Sequence, residues 1–155
     1  MAAESLPSLP CACASLRRAA RAVTRSYEGA LRPTGLKATQ FTLLQTLELT
    51  GPSPQVALGD MLALDSTTLT RTLRPLERAG WIRGSAGADR RQVRWALTAA
   101  GRRRLDRARP AWERAQARLR ARLGAAPWAR LSADLAVVAA AARGPSSPPR
   151  RGTAL

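Results

Sequence analysis

"DSTTLTRTLRPLERAG" (residues 65–80), followed by "WIRG" (81–84), "SAGADRRQ" (85–92) and "VRWAL" (93–97), changes its apolar period from helical to alternating within 33 residues. In its first part Leu69, Leu73 and Leu76 recur every three or four residues, the spacing of one buried helical stripe. Asp65 or Ser66 supplies an N-cap oxygen, and Gly80 stands where a helix ends on a left-handed residue. Pro75 removes one backbone hydrogen bond and should bend the last turn. The period then changes: Val93, Trp95 and Leu97 alternate with Arg94 and Ala96, as in a half-buried strand, and the polar segment between WIRG and VRWAL reads as a hairpin loop.

Working upstream, "QVALGDMLAL" (55–64) reads as a short helix opened by Ser53 as N-cap and Pro54 in its first turn. Val56, Leu58, Met61 and Leu62 are its expected inward residues. Before it, Thr39 can cap a helix carrying Phe41, Leu43, Leu44 and Leu47 that Gly51 and Pro52 stop. "LRPTGLKAT" (31–39) breaks the pattern. From Cys11 to about Leu31, Leu16, Ala20, Val23, Tyr27 and Leu31 trace one face of a long helix. Ser8 is its expected N-cap, with Pro10 in the first turn.

Downstream, Thr98 can cap a second long helix. Its seam of Leu105, Ala108, Trp112, Ala115, Leu119 and Leu123 steps by three and four, like a coiled coil, with a bend expected at Pro110. Pro127 starts a last helix with Trp128, Leu131, Leu135 and Val138, which Gly144 closes. The fold class is therefore mainly α with a small β-hairpin wing. A winged helix-turn-helix at 36–98 lies between long helices at 10–35 and 99–143, with a flexible N-terminus (1–9) and a disordered Pro/Ser-rich tail (144–155). The flanking helices carry apolar stripes that the small central module cannot cover, so a second copy of the chain is the expected partner.

The 155 residues carry a formal charge of +16 with no histidine. That balance favours a polyanionic partner, nucleic acid before membrane. Lys37 is the single lysine among 26 basic residues, and heavy use of arginine with alanine, glycine and proline also fits a GC-rich coding bias. Position, not total charge, must therefore argue each arginine. The absence of histidine excludes a Cys/His zinc site and histidine-based triads, and no metal site, cofactor or enzymatic activity is expected. Neither a membrane span nor a signal peptide is recognisable, so a cytoplasmic protein with reduced thiols is expected.

With Leu69, Leu73 and Leu76 buried, Ser66, Thr67, Thr68, Thr70, Arg71 and Arg74 become the candidate DNA contacts. Hydroxyls near a helix N-terminus suit phosphates and base edges, and arginine suits guanine O6 and N7. At the hairpin tip Asp89, Arg90 and Arg91 complete the set: arginine fits a narrow minor groove, and Asp89 would orient Arg91. On "TGLKATQFTLLQTL" (34–47), "LDSTTLTRTLRPLERAGWI" (64–82) and "DRRQVRWALTAAGRRRL" (89–105), the sequence resembles the MarR family of regulators over roughly residues 11–143. The last stretch holds a D-x-R wing followed by L-T-x-x-G. The resemblance implies a homodimer with intertwined termini, binding double-stranded DNA at a palindromic operator and usually repressing.

"CASLRRAARAVTRSY" (13–27) further resembles the branch of that family that senses organic hydroperoxides. In register are Cys13, Leu16, Ala19, Arg21, Thr24, Arg25 and Tyr27. The resemblance makes Cys13 the redox-sensing position and Tyr27 one of two tyrosines that would hydrogen-bond its thiolate across the dimer. The second tyrosine position is Arg17, which lies one helical turn from Cys13 and favours the thiolate electrostatically. Cys11 has no counterpart, and if both cysteines are helical they point about 200° apart. Alternatives stay open: structural cysteines with a small aromatic ligand bound near Trp81, Trp95, Trp112 and Trp128, or a thiophilic metal as effector. Two rivals from other classes are a non-specific nucleic-acid-binding basic protein and a thiol peroxidase using Cys13.

Overall fold

In the computed structural model the described residues are Pro7, residues 9–87 and residues 92–142. In chain order they form α1 (Ala12–Leu31), a 3-10 turn (Arg32–Thr34), α2 (Ala38–Thr50), β1 (Ser53–Pro54), α3 (Gln55–Leu62), α4 (Ser66–Arg78), β2 (Ile82–Ala86), β3 (Val93–Leu97), α5 (Ala99–Leu123) and α6 (Ala125–Ala142). The fold is mainly helical with one antiparallel sheet of order β1-β3-β2. Two compact units divide the chain, Leu6–Gln116 and the segment from Ala117 onward.

The first unit is built on one leucine-rich core. Leu69, Leu73 and Leu76 of α4 are buried with Phe41, Leu43, Leu44 and Leu47 of α2, Leu58 of α3, Ile82 of β2, Trp95 of β3 and Leu105, Ala108 and Ala111 of α5. Each fully buried leucine or phenylalanine contributes about 1.5–3 kcal/mol. The expected inner face of α3 is half right. Leu58 is buried and Leu62 partly so, but Val56 is 71% and Met61 48% exposed, because α3 is short and turns a single ridge inward. Val93 likewise faces outward at the open end of β3.

The ends of α4 are as the sequence predicts. Asp65 accepts hydrogen bonds from the Thr68 amide (2.8 Å) and the Thr68 hydroxyl (2.7 Å). At the other end Trp81 N–H donates to Leu76 O and Gly80 N–H to Glu77 O, with Gly80 at φ +68°, a Schellman closure. The helix continues through Pro75 to Arg78, and α5 likewise continues through Pro110.

Three starts differ from the sequence expectation. Lys37, not Thr39, is the N-cap residue of α2: its amide donates to Gln40 Oε1 and the Ala38 amide to Glu28 Oε1. A carboxylate from α1 thus does the work a local threonine could have done. Ser53 and Pro54 form a strand rather than a cap and first turn, pairing with Trp95 and Arg94 and making the sheet three-stranded. Finally, α6 begins at Ala125, after Gly124 at φ +84°, so Pro127 lies within the first turn.

α5 is anchored at its start. The Thr98 hydroxyl accepts from the Gly101 amide (3.0 Å) and donates to Gly80 O (2.7 Å), while the Thr98 amide donates to Trp81 O (3.0 Å). Glu48 of α2 pairs with Arg109 (2.7 Å) and Arg102 (3.5 Å) of α5, which ties the module to the long helix.

Along α1 only Leu31 is fully buried, whereas Leu16 and Val23 stay 38% and 37% exposed. In the second unit, α6 leaves Leu135, Val137 and Val138 exposed. Among the described residues no helix is long and apolar enough to cross a membrane. Ser8, Gly144 and the tail fall outside the described residues.

Candidate nucleic-acid interface

The buried leucine stripe of α4 turns its opposite face outward. Ser66, Thr67, Arg71 and Arg74 are exposed and Thr70 is half-buried. Together with Pro75 and Arg78 they line a cleft of about 620 Å³. Ion pairs among the described residues involve Arg102 and Arg109, and none involves Arg71, Arg74 or Arg78. The face is therefore a row of hydroxyls and guanidiniums that no carboxylate among the described residues pairs with.

Five of the six α4 residues chosen from sequence come together in this cleft. Thr68 does not: its hydroxyl and amide both serve the Asp65 cap. Those two hydrogen bonds, the amide's first and the hydroxyl's second, hold the Asp65 carboxyl below the usual carboxylate range. Arg78, at the far end of the cleft, was missed because it sits beyond Pro75, where a displaced last turn was expected. Asp89, Arg90 and Arg91 lie outside the described residues; the ladder flanking them runs from Ile82↔Leu97 to Ala86↔Val93.

At the start of α1 the structure corrects one geometric expectation. Cys11 is the N-cap residue, with extended backbone (φ −101°, ψ 118°), and Pro10 precedes it outside the helix. The two cysteines are therefore not on opposed faces of one helix, because only Cys13 is helical. Both are free and exposed. Arg17 lies one turn beyond Cys13 and lines a cleft of about 450 Å³ with Leu9, Ala14, Arg18, Arg21 and Arg25.

Tyr27 is elsewhere. Fourteen residues of helix separate it from Cys13, roughly 21 Å along the axis. Its hydroxyl donates to Gln116 Oε1 within the same chain, and burial pushes its phenol pKa up. Tyr27 lines a cleft of about 290 Å³ with Leu31, Phe41, Trp112 and Gln116 among others. There Trp112 stacks on Phe41 with centroids 5.6 Å apart.

Within the same unit, Trp81 and Trp95 do not line that cleft. Trp81 lies under the Arg104 guanidinium at 4.9 Å, Trp95 is buried in the sheet, and Trp128 belongs to α6. Among the described residues no three His, Cys, Asp or Glu side chains converge as a metal site would require.

Comparison with known proteins agrees with this geometry. Residues 36–93 match the MarR family. The chain superposes on the Mycobacterium tuberculosis transcriptional regulator MosR, solved in complex with DNA. That match has a TM-score of 0.77 and 41% identity, and covers 86% of this chain and 96% of MosR. A probable transcriptional regulator from Pseudomonas aeruginosa matches at TM-score 0.74 and 28% identity, over 83% of this chain and 97% of that one. The uncharacterised HTH-type transcriptional regulator YwoH of Bacillus subtilis is 31% identical over 83 residues, 54% of this chain and 61% of YwoH. The match thus spans less than two thirds of YwoH's length. The chain belongs to the MarR family, whose members are regulators and not enzymes.

Proposed function

We propose that this protein is a cytoplasmic, sequence-specific DNA-binding transcriptional regulator that acts as a homodimer on a palindromic operator, as a repressor. The unpaired cationic cleft of α4 is the observation that carries this reading. A helix that fits the major groove presents Ser66, Thr67, Thr70, Arg71 and Arg74 outward, and no protein carboxylate among the described residues competes for the arginines. Asp89, Arg90 and Arg91 act at the wing, with Arg91 in the minor groove. The dimer forms through residues 10–35 and 99–143, the regions that leave Leu16, Val23, Leu135 and Val138 exposed in one chain. That MosR was solved with DNA supports the same use of this fold.

DNA release follows modification of Cys13, whose thiol is exposed and whose neighbour Arg17 carries no ion pair among the described residues. A second reading rests on the cleft of Tyr27, Phe41, Trp112 and Gln116, which suits a single-ring aromatic effector.

One set of binding measurements tests all of this. Dimer-symmetric sites selected from random duplexes should bind with strong sequence preference at physiological salt. Arg71→Ala and Arg91→Ala should each weaken binding by roughly tenfold or more while the dimer persists. Hydroperoxide should release DNA from wild type and not from Cys13→Ser. Equal release from both, with release by aromatic acids, would move the effector to the aromatic cleft.

A further inference from the structure

Gln55, the first residue of α3, touches two other elements at once. The β1 ladder sets Ser53 opposite Trp95 and Pro54 opposite Arg94, which delivers the next residue beside the Trp95 side chain. The Trp95 indole N–H donates to Gln55 Oε1 at 3.1 Å. Gln55 Nε2 donates to Thr70 Oγ1, also at 3.1 Å.

The order of these bonds is forced. An indole N–H can only donate, so the amide oxygen must face Trp95 and the amide nitrogen must face Thr70. Thr70 Oγ1 is thereby an acceptor toward Gln55, and its own proton has no protein acceptor among the described residues. Thr46, Thr50 and Thr72 differ, since their hydroxyls each donate to a carbonyl four residues back. Thr70 lines the α4 cleft beside Ser66, Thr67, Arg71 and Arg74.

We propose that Gln55 is a positioning residue for DNA reading: braced by Trp95, it occupies one lone pair of the Thr70 hydroxyl and biases that hydroxyl toward donating to a hydrogen-bond acceptor on DNA. The proposal rests on α4 being the DNA-facing helix. A free threonine hydroxyl can donate or accept, and so distinguishes bases poorly. Held by Gln55, it favours purine N7, guanine O6 or thymine O4 and disfavours the amino groups of adenine and cytosine. A phosphate oxygen presents the same acceptor chemistry.

The full-length protein should select from a library of randomised DNA duplexes, read by sequencing, with Gln55→Glu, Thr70→Val and the double variant alongside. A carboxylate at position 55 keeps the indole contact but cannot donate, so Thr70 turns its proton inward. Gln55→Glu and Thr70→Val should lose preference at the same base pair, by about five- to tenfold each, and the double variant should lose no more there than either alone. A uniform loss with an unchanged base pattern, seen in Gln55→Glu but absent once Thr70 is valine, assigns the proton to a phosphate and supports the brace.

An unaltered base pattern and affinity in Gln55→Glu overturns the proposal, as does a fully additive loss in the double variant. If wild type enriches no sequence, the reading of α4 as DNA-facing fails instead. Should Gln55→Glu not fold by circular dichroism, Gln55→Met replaces it: a blurred preference at that base pair supports the brace, and an unchanged one overturns it.

Discussion

A methyl group at position 101 would sit 1.9 Å from the Trp81 carbonyl oxygen and 2.8 Å from Leu97 Cδ1. Backbone cannot yield there, because the same carbonyl accepts the Thr98 amide that starts α5. Gly101→Ala should therefore destabilise the protein by about 3 kcal/mol, measured by urea unfolding. A loss below about 1 kcal/mol would mean that α5 does not approach Trp81 this closely. The glycine of L-T-x-x-G was visible in the sequence, but its cause was not, since the colliding atom lies 20 residues earlier. Cys11 and Tyr27 carry the same lesson at single residues. Motif register places Cys13 and Tyr27 in one pattern, while the side chain that meets the tyrosine within its own chain, Gln116, lies far along the sequence.

Elements were legible where a local signal marks both ends. α4 had an apolar stripe, a carboxylate cap and a C-terminal glycine, and all three operate as read. Its start also carries a pH signature. Thr68 lowers the Asp65 pKa in the folded state, so this carboxylate's contribution is present above the ordinary carboxylate range and is lost as pH falls through the lowered value. The melting temperature of wild type should exceed that of Asp65→Asn near neutrality, and the gap should close in acid. A gap independent of pH would show that charge at the cap contributes nothing. β1, by contrast, is two residues long and has no period to detect. Its existence depends on β3 offering free backbone groups. The start of α2 was misplaced for a related reason, because Glu28 of another helix satisfies the Ala38 amide.

At the scale of the whole molecule, the proposed dimer would cover apolar side chains left exposed on α1 and α6. Val138→Glu should shift sedimentation toward monomer and weaken binding to a two-half-site duplex by at least tenfold. Truncation after Arg143 should change neither. A Val138→Glu protein that remains a dimer, or a truncated one that becomes monomeric, would relocate the interface. What sequence alone determined is the winged helix-turn-helix order, the buried face of α4 and hence the outward set Ser66, Thr67, Thr70, Arg71 and Arg74. Periodicity and caps are local, and they act before any distant residue is in place. Tertiary structure alone decided that Thr68 serves Asp65, that Arg78 joins the cleft, that Trp112 lines one cleft with Tyr27, and that Gln55 bridges Trp95 and Thr70. Each of those depends on which side chain a fold brings within hydrogen-bonding or packing reach, and that distance is not written in the spacing of residues along the chain.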